Sequence, residues 1–369
     1  MKVISFARGV PAAECLPAAE LADCARTVIE ADGLAVLNYG HIAGYGPLRE
    51  WIGERHGVQP GRVLITNGSL QGLHLLLSHF GARGRVFVDA PTYDRPLKIL
   101  AQLGADVRAI PQDEVGLDVD ALEQELRRDS SPAFLYALPT FQNPTGRTLP
   151  IQRRRRLVEL TGVYPLTVLE DDPYGLVRYE GEALPTLFEL DGSQRILYSS
   201  SFSKVVAPGA RVGYFVLQPE LMASMEIVAT NVYLTPGLLA QATVYEFLRR
   251  GSLEPNIERV RRLLGMRRDA MLEALAREFP TSVSWNRPDG GYFLWLEFPH
   301  GVDAGELLRQ SEADGVSFVK GSDFYLDGLG GHGSARLAFS LASPAEIHEG
   351  IGRLAVLVAN LARVGQAEQ

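Results

Sequence analysis

Cysteine and histidine are both scarce in this sequence, and neither is spaced for cross-linking or metal binding. Only two cysteines, Cys15 and Cys24, occur among 369 residues. Their spacing fits neither a disulfide framework nor a metal knuckle. The seven histidines contain no HxH or HExxH pattern, so we expect no metal site. Two ordinary thiols are typical of a reducing compartment, which favours a cytoplasmic protein.

Long apolar runs and an excess of positive charge are also missing. No window approaches the roughly 18 consecutive apolar residues that a membrane span needs, and residues 1–8 lack the apolar core of a signal peptide. The formal net charge of -8 argues against a nucleic-acid partner. The one basic run, at 153–156, lies in a helix-like stretch and is typical of a solvated helix face. We therefore expect neither a membrane nor a nucleic acid as partner.

The hydrophobic content of 46% across 369 residues suffices for two globular domains. From about residue 60 to about residue 240, short apolar runs alternate with helix-like segments. This alternation predicts an α/β, doubly wound domain whose sheet is covered on both faces. The predicted strands are 63–66, 85–88, 107–110, 133–137, 167–170, 196–199 and 212–217. In such folds, ligands bind at the carboxyl ends of the strands.

The last third of the sequence has a different pattern. A long charged amphipathic helix is predicted from about 254 to about 278, and short strands and two further helices follow it, which indicates an α+β domain. Residues 16–32 form another predicted helix, which we expect to pack on this domain. The small domain would then be discontinuous, comprising 1–37 and 251–369, and the large domain would comprise 38–250.

The most informative motif is Ser201-Phe202-Ser203-Lys204, which Arg211 follows just before the next strand. A lysine between hydroxyls and an arginine suits a Schiff base held beside a bound phosphate. Pyridoxal phosphate (PLP) needs an amine for its aldehyde and a cationic, hydroxyl-rich cradle for its phosphate. The motif favours a PLP site, and the rest of the chain decides whether it is one.

Polar or aromatic residues follow the first two predicted strands. After the first strand, Gly68 and Ser69 open a helix whose backbone N–H groups and dipole can bind an anion. The simpler interpretation of Ser69 is helix N-capping. After the second strand comes Tyr93, whose ring either stacks on a planar cofactor or belongs to the core or rim.

Two later strands also end in polar residues. Asn143 lies in the rigid turn Asn143-Pro144-Thr145-Gly146, and turn formation is its simplest role. Asp171 and Tyr174 follow the fifth strand, where both would point into a cleft, although a carboxylate there can also cap a helix. A carboxylate beside a pyridine nitrogen keeps that nitrogen protonated, and the charge makes the ring an electron sink.

In this order and spacing, these segments resemble the fold type I PLP-dependent aminotransferases of class I/II. Within that group, the chain is most similar to the branch of aminoadipate, kynurenine and aromatic aminotransferases. The matching motifs, which cover essentially the whole chain, are Ser5-Phe6-Ala7-Arg8-Gly9-Val10-Pro11, Asn38-Tyr39-Gly40, Gly44-Tyr45-Gly46-Pro47-Leu48-Arg49, Asn67-Gly68-Ser69, Asn143-Pro144-Thr145-Gly146, Glu170-Asp171-Asp172-Pro173-Tyr174, Ser201-Phe202-Ser203-Lys204, Pro208-Gly209-Ala210-Arg211-Val212-Gly213 and Ala335-Arg336-Leu337-Ala338-Phe339-Ser340.

The resemblance implies a fold and an activity. The large domain would hold a mostly parallel seven-stranded sheet covered by helices, beside a smaller discontinuous α+β domain. The chain would be a PLP-dependent amino acid:2-oxo acid aminotransferase with a ping-pong mechanism through a lysine Schiff base. It would form a homodimer with active sites at the interface.

The resemblance also implies residue roles. Lys204 would form the Schiff base and carry the α-proton, and Asp171 would pair with the pyridinium nitrogen. Tyr174 and Asn143 would hydrogen-bond the ring oxygen, and Tyr93 would stack on the ring. The remaining cofactor-binding residues would be Gly68, Ser69, Leu70, Ser201, Ser203, Arg211 and, from the neighbouring subunit, Tyr39. Arg336 would clamp the substrate α-carboxylate, assisted by Asn143.

Two residues depart from the branch. Arg8 stands where a small residue is common, in a segment near the substrate side chain. We hypothesise that Arg8 helps to select an acidic or polar side chain; the alternative is a surface or dimer-interface arginine. Lys320 stands where the branch often has proline, and the alternative for it is a loop residue without function.

Two alternative classes of function stay open. One is another PLP reaction on the same fold, catalysed by a β-lyase, a decarboxylase or a cyclising synthase, since Arg336 and Asp171 would serve those reactions too. The other is a non-catalytic PLP-binding sensor, although a sensor needs no proton shuttle. Specificity depends on a few side-chain contacts, so the amino donor and the 2-oxo acid acceptor also stay open.

Overall fold

A computed structural model describes residues 3–191 and 194–367, so the outermost residues of the predicted small domain, 1–2 and 368–369, lie outside it. The helices are α1 (Ala18–Val36), α2 (Gly46–His56), α3 (Ser69–Gly81), α4 (Asp94–Leu103), α5 (Val119–Arg128), α6 (Ile151–Val163), α7 (Leu187–Leu190), α8 (Pro219–Tyr233), α9 (Leu238–Arg249), α10 (Leu253–Glu278), α11 (Ala304–Ala313) and α12 (Pro344–Ala367).

The strands of the described residues form three sheets. They are β1 (Ile4–Ser5), β2 (Val63–Asn67), β3 (Arg85–Ala90), β4 (Val107–Asp113), β5 (Gly116–Leu117), β6 (Ala133–Ala137), β7 (Leu166–Asp171), β8 (Ile196–Ser201), β9 (Val212–Val216), β10 (Ser284–Trp285), β11 (Phe293–Glu297), β12 (Val316–Ser317), β13 (Val319–Lys320) and β14 (Ser334–Ala338).

The largest sheet confirms the predicted α/β architecture. Its order is β2-β9-β8-β7-β6-β3-β4-β5, and the neighbours from β8 through β7, β6 and β3 to β4 are all parallel. All seven predicted strands are present, and the sheet is mostly parallel because only β9 and β5 run against their neighbours. The short edge strand β5 is an addition; its two residues are too few to produce a sequence pattern.

Burial on both faces explains the composition of these strands. Every residue of β6 and β9 is buried, as are all residues of β8, including its serines. Separate apolar clusters cover the two faces, one around Leu76 and Met225 and the other around Leu122 and Leu160. Strands buried in this way need near-continuous apolar runs, and this is the pattern that the sequence showed.

The C-terminal third is the α+β unit that the sequence predicted. Its antiparallel sheet has the order β10-β11-β14-β13, and α10 packs against α12. The N-terminus joins this unit, because β1 pairs with β12 and the Phe6 carbonyl accepts a hydrogen bond from the Ala338 N–H at 2.7 Å.

Helix α1 does not pack where we expected. Instead of the C-terminal unit, α1 lies along α9, and Asp23 of α1 forms an ion pair with Arg250 at the end of α9. Apolar side chains from both helices, including Val28, Val36 and Ala242, form a separate small cluster. The expectation was wrong because the amphipathic pattern of a helix identifies its apolar face but not the surface that covers this face. The domain boundaries at 37/38 and 250/251 stay a prediction.

Within residues 3–191 and 194–367, no helix combines the length and apolar character that crossing a membrane requires. The same residues contain no group of histidine, cysteine, aspartate or glutamate side chains arranged to hold a metal ion.

Candidate active site

Lys204 lies at the carboxyl edge of the large sheet, in a single turn of 3-10 helix (Phe202–Lys204) that follows β8. Its Nζ donates a hydrogen bond to the Gly9 carbonyl at 2.6 Å. The rings of Tyr174 and Tyr292 lie 5.5 and 5.0 Å from Nζ, and the Tyr292 hydroxyl donates to the Lys204 carbonyl at 3.1 Å. The amine is therefore held between the sheet and the N-terminal segment.

The environment of Lys204 favours the neutral amine. Burial of the amine, together with the positive charges of Arg336 and Arg211, lowers the pKa of Lys204 to about 8. An ordinary lysine is almost fully protonated at neutral pH, and a protonated amine is not a nucleophile. Lys204 is therefore better suited than a surface lysine to attack an aldehyde.

Asp171 ends β7 with one carboxylate oxygen unused. Its Oδ2 accepts a hydrogen bond from the Tyr136 hydroxyl at 2.7 Å, whereas its buried Oδ1 has no partner. Burial raises the pKa of Asp171 to about 6, and the hydrogen bond from Tyr136 opposes this rise. The group is thus mainly ionised at neutral pH. A cationic partner would stabilise a buried, ionised carboxylate that has one oxygen without a hydrogen bond.

The Gly68, Ser69 and Arg211 segments form a cradle at the start of α3. Gly68 has a φ of 82°, and a Cβ on it would lie 2.1 Å from Arg211 Nη2. A Cβ on Gly213 would lie 2.2 Å from the Ser69 nitrogen. Only glycine therefore lets these backbones approach the arginine and the helix N-terminus. The positive end of the helix and the guanidinium together attract an anion.

Two serines extend this cradle. Ser201 Oγ donates to Ser203 Oγ at 2.8 Å, and the Ser203 N–H donates to Ser201 Oγ at 3.1 Å. Arg211 itself has a φ of 53°, the left-handed region that non-glycine residues seldom adopt, so its backbone is held there by its surroundings. Leu70 is exposed in the first turn of α3, and its backbone N–H belongs to the free end of the helix.

Arg336 is buried on β14, with part of its bonding capacity unused. Its Nη1 donates to Asn143 Oδ1 and its Nη2 to the Ala7 carbonyl, both at 2.7 Å, whereas its buried Nε has no partner. The rings of Phe293 and Phe324 lie 4.2 and 4.9 Å from the guanidinium centre. Burial lowers the pKa of Arg336 to about 10, so the side chain is still a cation at neutral pH. It can bind a carboxylate.

Tyr174 and Tyr93 lie around the same centre. Tyr174 is buried, and its ring lies 5.7 Å from Phe293. Burial raises the pKa of both phenols, and the negative charge of Asp171 raises them further, so both hydroxyls are neutral donors at physiological pH. Tyr93 is half-buried directly before α4. The structure thus brings these residues together with Asp171.

Three residues from the sequence analysis have side chains that form no hydrogen bond or ion pair with this centre within residues 3–191 and 194–367. Tyr39 is 76% exposed. In the part of the chain that the structure describes, it forms no hydrogen bond with Lys204 of the same chain. Arg8 is exposed, and its guanidinium has no hydrogen-bond or ion-pair partner among the described residues. Lys320 forms an ion pair with Asp323 at 3.5 Å and is half-buried on β13, so it is a strand residue and not the loop residue of the alternative.

Several residues of the site were not anticipated from the sequence. Tyr136 lies inside β6, and nothing in an apolar run marks one tyrosine as the partner of Asp171. Tyr292 and Phe293 follow two glycines, Gly290 and Gly291, where a Cβ would collide with Phe141 at 2.3 and 2.7 Å. That glycine pair was the available signal, since adjacent glycines often mark a close approach of backbone to another group.

The unused groups fit PLP. The cofactor carries an aldehyde, a pyridine nitrogen and a phosphate. The structure offers an amine of lowered pKa at Lys204, a carboxylate oxygen without a partner at Asp171, and an anion cradle that a Cβ on Gly68 would fill. The amine suits the aldehyde, the carboxylate suits the ring nitrogen and the cradle suits the phosphate.

Comparisons with known proteins agree with this geometry. The family described as "Aminotransferase class I and II" matches residues 2–354. The 2-aminoadipate transaminase of Thermus thermophilus is 40% identical over 357 residues, which are 95% of this chain and 89% of that protein. Aromatic-amino-acid aminotransferase 1 of Thermococcus litoralis is 35% identical, over 96% of this chain and 87% of that protein.

Solved structures are also similar. The alpha-aminoadipate aminotransferase of Thermus thermophilus, complexed with N-(5'-phosphopyridoxyl)-L-leucine, superposes with a TM-score of 0.93 at 38% identity, covering 98% of this chain and 93% of that one. The kynurenine aminotransferase of Pyrococcus horikoshii superposes with a TM-score of 0.93 at 35% identity, covering 98% and 91%. The chain therefore belongs to the aminotransferase class I and II family and is a PLP-dependent aminotransferase with the fold type I architecture.

Proposed function

We propose that Lys204, Asp171 and Tyr174 carry out transamination in this chain while Arg336 and Asn143 hold the substrate. When bound, PLP withdraws electrons from the α-carbon of the substrate and weakens its bond to hydrogen. Lys204 Nζ accepts that proton and later returns one, and a pKa near 8 allows the same nitrogen to do both. Asp171 keeps a negative charge against the ring nitrogen, and the Tyr174 hydroxyl donates to the ring oxygen.

The unused bonding groups around Tyr174 carry this proposal. Asp171 Oδ1 and Arg336 Nε are both buried without a partner. Both side chains act electrostatically on Tyr174, whose ring lies 5.5 Å from Lys204 Nζ. The ring nitrogen of the cofactor would satisfy Asp171, and an α-carboxylate would satisfy Arg336. Because the amino donor and the 2-oxo acid would use the same arginine in turn, the kinetics would be ping-pong.

We further propose that Arg8 selects donors with an acidic or polar side chain. The carbonyls on either side of it, those of Ala7 and Gly9, accept hydrogen bonds from Arg336 and Lys204. Arg8 is thus one residue from both contacts, and within residues 3–191 and 194–367 its exposed guanidinium has no competing partner. The relative named 2-aminoadipate transaminase acts on an amino acid with a distal carboxylate, which agrees with this assignment.

The proposed working form is a cytoplasmic homodimer. Tyr39 would reach the cofactor phosphate of the neighbouring subunit, and its 76% exposure leaves it available to do so. The exposed apolar residues Leu34 and Leu37 precede it on the same surface. The free, buried thiols of Cys15 and Cys24 support a reducing compartment.

A half-reaction screen tests the proposed residues and donors. The PLP-loaded protein is mixed with single amino acids without a 2-oxo acid, and the visible absorption of the lysine-bound cofactor is followed. We expect L-glutamate and L-2-aminoadipate to shift the spectrum to that of the aminated cofactor, and a 2-oxo acid to restore it. Lys204→Ala should bind PLP weakly and give no such conversion. Ammonia or pyruvate released without an acceptor would instead identify a lyase.

Two variants test Arg8. In Arg8→Ala, we expect kcat/KM for acidic donors to fall about tenfold, the size expected for one charge-assisted hydrogen bond, with little change for L-leucine. Arg8→Lys keeps the charge and should retain most of the preference. An equal effect on acidic and apolar donors would contradict the assignment.

A further inference from the structure

Asp89 is a buried carboxylate for which the proposed reaction has no use. It lies near the end of β3 with 3% of its surface exposed. Its Oδ2 accepts hydrogen bonds from Gln112 Nε2 at 3.0 Å and from Gln142 Nε2 at 3.3 Å, whereas its Oδ1 has no partner. Burying a carboxylate without a neighbouring cation is unfavourable, so we expect that Asp89 provides a specific interaction.

The two glutamines bind a second acceptor in the same loop. The Pro91 carbonyl accepts from Gln142 Nε2 at 2.8 Å and from Gln112 Nε2 at 3.1 Å. An amide NH2 group has two hydrogens. Each glutamine therefore donates one hydrogen to Asp89 and one to Pro91, and the four groups form a closed ring, which we call the Asp89 bracket.

The bracket also holds the turn that contains Asn143. Gln142 Oε1 accepts from both the N–H and the hydroxyl of Thr145, each at 2.8 Å. The residue before Gln142, Phe141, is buried with a φ of 49°, a conformation that persists only when its surroundings enforce it. The position of the 141–145 turn thus depends on Gln142, and that of Gln142 depends on Asp89.

The 141–145 turn and the loop after β3, which the bracket joins, both contact Arg336 or its neighbour Phe324. From the turn, Asn143 Oδ1 accepts from Arg336 Nη1 at 2.7 Å. From the β3 loop, the Thr92 N–H donates to the Phe324 carbonyl at 2.9 Å, and the Phe324 ring lies 4.9 Å from the Arg336 guanidinium. Tyr93 directly follows Thr92. One buried carboxylate therefore connects the two segments that contact the proposed carboxylate-binding arginine.

We propose that Asp89 is a positioning residue that, through Gln112 and Gln142, places Arg336 and Tyr93 for substrate binding. This inference rests on the role proposed above for Arg336. Asp89 acts as a hydrogen-bond acceptor for two amides, and without it one N–H of each amide would lose its partner. The position of Arg336 then determines how tightly an α-carboxylate binds.

Three variants and a non-reacting ligand test this role. Asp89→Leu keeps the approximate size of the side chain and removes the acceptor. Asp89→Asn keeps one acceptor oxygen, and its NH2 group can occupy the place of Oδ1, which has no partner to lose. Asp113→Asn is the matched control, because Asp113 is exposed on β4 and bonds Arg153 outside the bracket. The ligand is 2-methylalanine, which has an α-carboxylate but no α-proton, so its binding is read from the cofactor spectrum without turnover.

We expect Asp89→Leu to bind PLP but to weaken binding of 2-methylalanine about tenfold, as the loss of a hydrogen bond to a charged group does. Asp89→Asn should stay within about threefold of the unchanged protein, and Asp113→Asn should equal it. Unchanged affinity in Asp89→Leu, or an Asp89→Asn as weak as Asp89→Leu, would overturn the proposal. If Asp89→Leu does not fold, Gln112→Met removes one half of the bracket at a half-buried position and should weaken binding severalfold; unchanged affinity there overturns the proposal equally.

Failure of the proposed function has a different signature. If the unchanged protein binds PLP but neither 2-methylalanine nor any amino acid alters its spectrum, the assignment of Arg336 and Lys204 is wrong. A normal response of the unchanged protein together with a normal response of Asp89→Leu contradicts the Asp89 bracket alone.

Discussion

At the scale of single residues, the site depends on polar groups whose ionisation the fold has changed. Lys204 has a lowered pKa because it is buried near two arginines, and Asp171 has a raised one because it is buried. Sequence motifs located both residues, since each follows a strand in a recognisable segment. They did not locate Tyr136, whose contact with Asp171 crosses from β6 to β7.

The lowered pKa of Lys204 predicts a pH dependence in the PLP-free protein. Capture of pyridoxal by Lys204 requires the neutral amine, so its rate should rise about tenfold per pH unit below pH 8 and level off above that pH. In Arg336→Gln, the loss of one neighbouring cation should move this inflection upward. A rate that keeps rising toward pH 10.5, the ordinary value for lysine, would contradict the prediction.

The same shift affects folding stability with a defined sign. Because folding lowers the pKa of Lys204 from 10.5 to about 8, the unfolded chain binds more protons between these two values. This group therefore makes the free energy of unfolding increase as pH rises through that window. Chemical denaturation at pH 7 and pH 10 gives the free energy of unfolding of the PLP-free protein and of Lys204→Met. We expect this free energy to increase more between the two pH values in the unchanged protein, and the difference is the contribution of Lys204.

At the scale of elements, the start of α3 and the N-terminal segment contribute most to the site. The phosphate cradle needs glycine at 68, because a Cβ there meets the Arg211 guanidinium. Residues 7–9 are held at both ends, by the bond from the Ala338 N–H to the Phe6 carbonyl and by the bond from the Ser340 hydroxyl to the Val10 carbonyl. Two carbonyls of this segment can therefore accept from Lys204 and Arg336.

Gly68→Ala should weaken PLP binding at least about tenfold, because the added methyl group displaces Arg211 and the phosphate loses a charge-assisted hydrogen bond. Affinity for pyridoxal, which has no phosphate, should change much less. Gly57→Ala is the control: Gly57 also has a positive φ, of 64°, but a Cβ there meets nothing within 4 Å. That variant should lose about 1 kcal/mol of stability and keep its PLP affinity. Equal losses of PLP and pyridoxal affinity in Gly68→Ala would show that backbone strain, not the cradle, is responsible.

At the scale of the whole molecule, the site lies between the large sheet and the C-terminal unit, and the single chain leaves an apolar surface at the end of α1 exposed. Leu34 and Leu37 at the end of α1 are 94% and 64% exposed, and Tyr39 follows them. Gly40 donates to Thr235 Oγ1 at 3.3 Å, which places this segment beside the exposed Leu234. Large contiguous exposed apolar patches mark interaction sites, and we predict that this surface is one.

We predict that the chain sediments as a dimer and that Leu37→Glu shifts it toward monomers while lowering PLP affinity. A buried charge opposes association because it must lose its hydration. Val163→Glu introduces the same charge at a 70% exposed valine on α6 and should leave both properties unchanged. Tyr39→Phe should stay dimeric and bind PLP more weakly. A monomer that binds PLP as tightly as the unchanged protein would contradict the role of Tyr39.

Much of the fold could be read from the sequence alone, because local patterns determine it. Strands covered on both faces must be largely apolar, so β2, β3, β6, β7, β8 and β9 were visible. The start of β4 was also predicted, although most of that strand is exposed. The segments at their carboxyl ends identified Lys204, Asp171 and Arg211, since glycine, hydroxyl and charged residues are uncommon in such runs. The two-residue strand β5 and the partner of α1 were not visible, because neither produces a pattern of its own.

The sequence by itself thus determined the architecture and the family, and it predicted which residues would meet the cofactor, because each of these depends on short segments read one at a time. Only the tertiary structure decided the contacts between distant segments: Arg336 with Ala7, Lys204 with Gly9, and Asp89 with its two glutamines. The lowered pKa of Lys204 also depends on such contacts, because burial and neighbouring charge are properties of the folded chain. No local pattern encodes a distance between residues in separate segments of the chain.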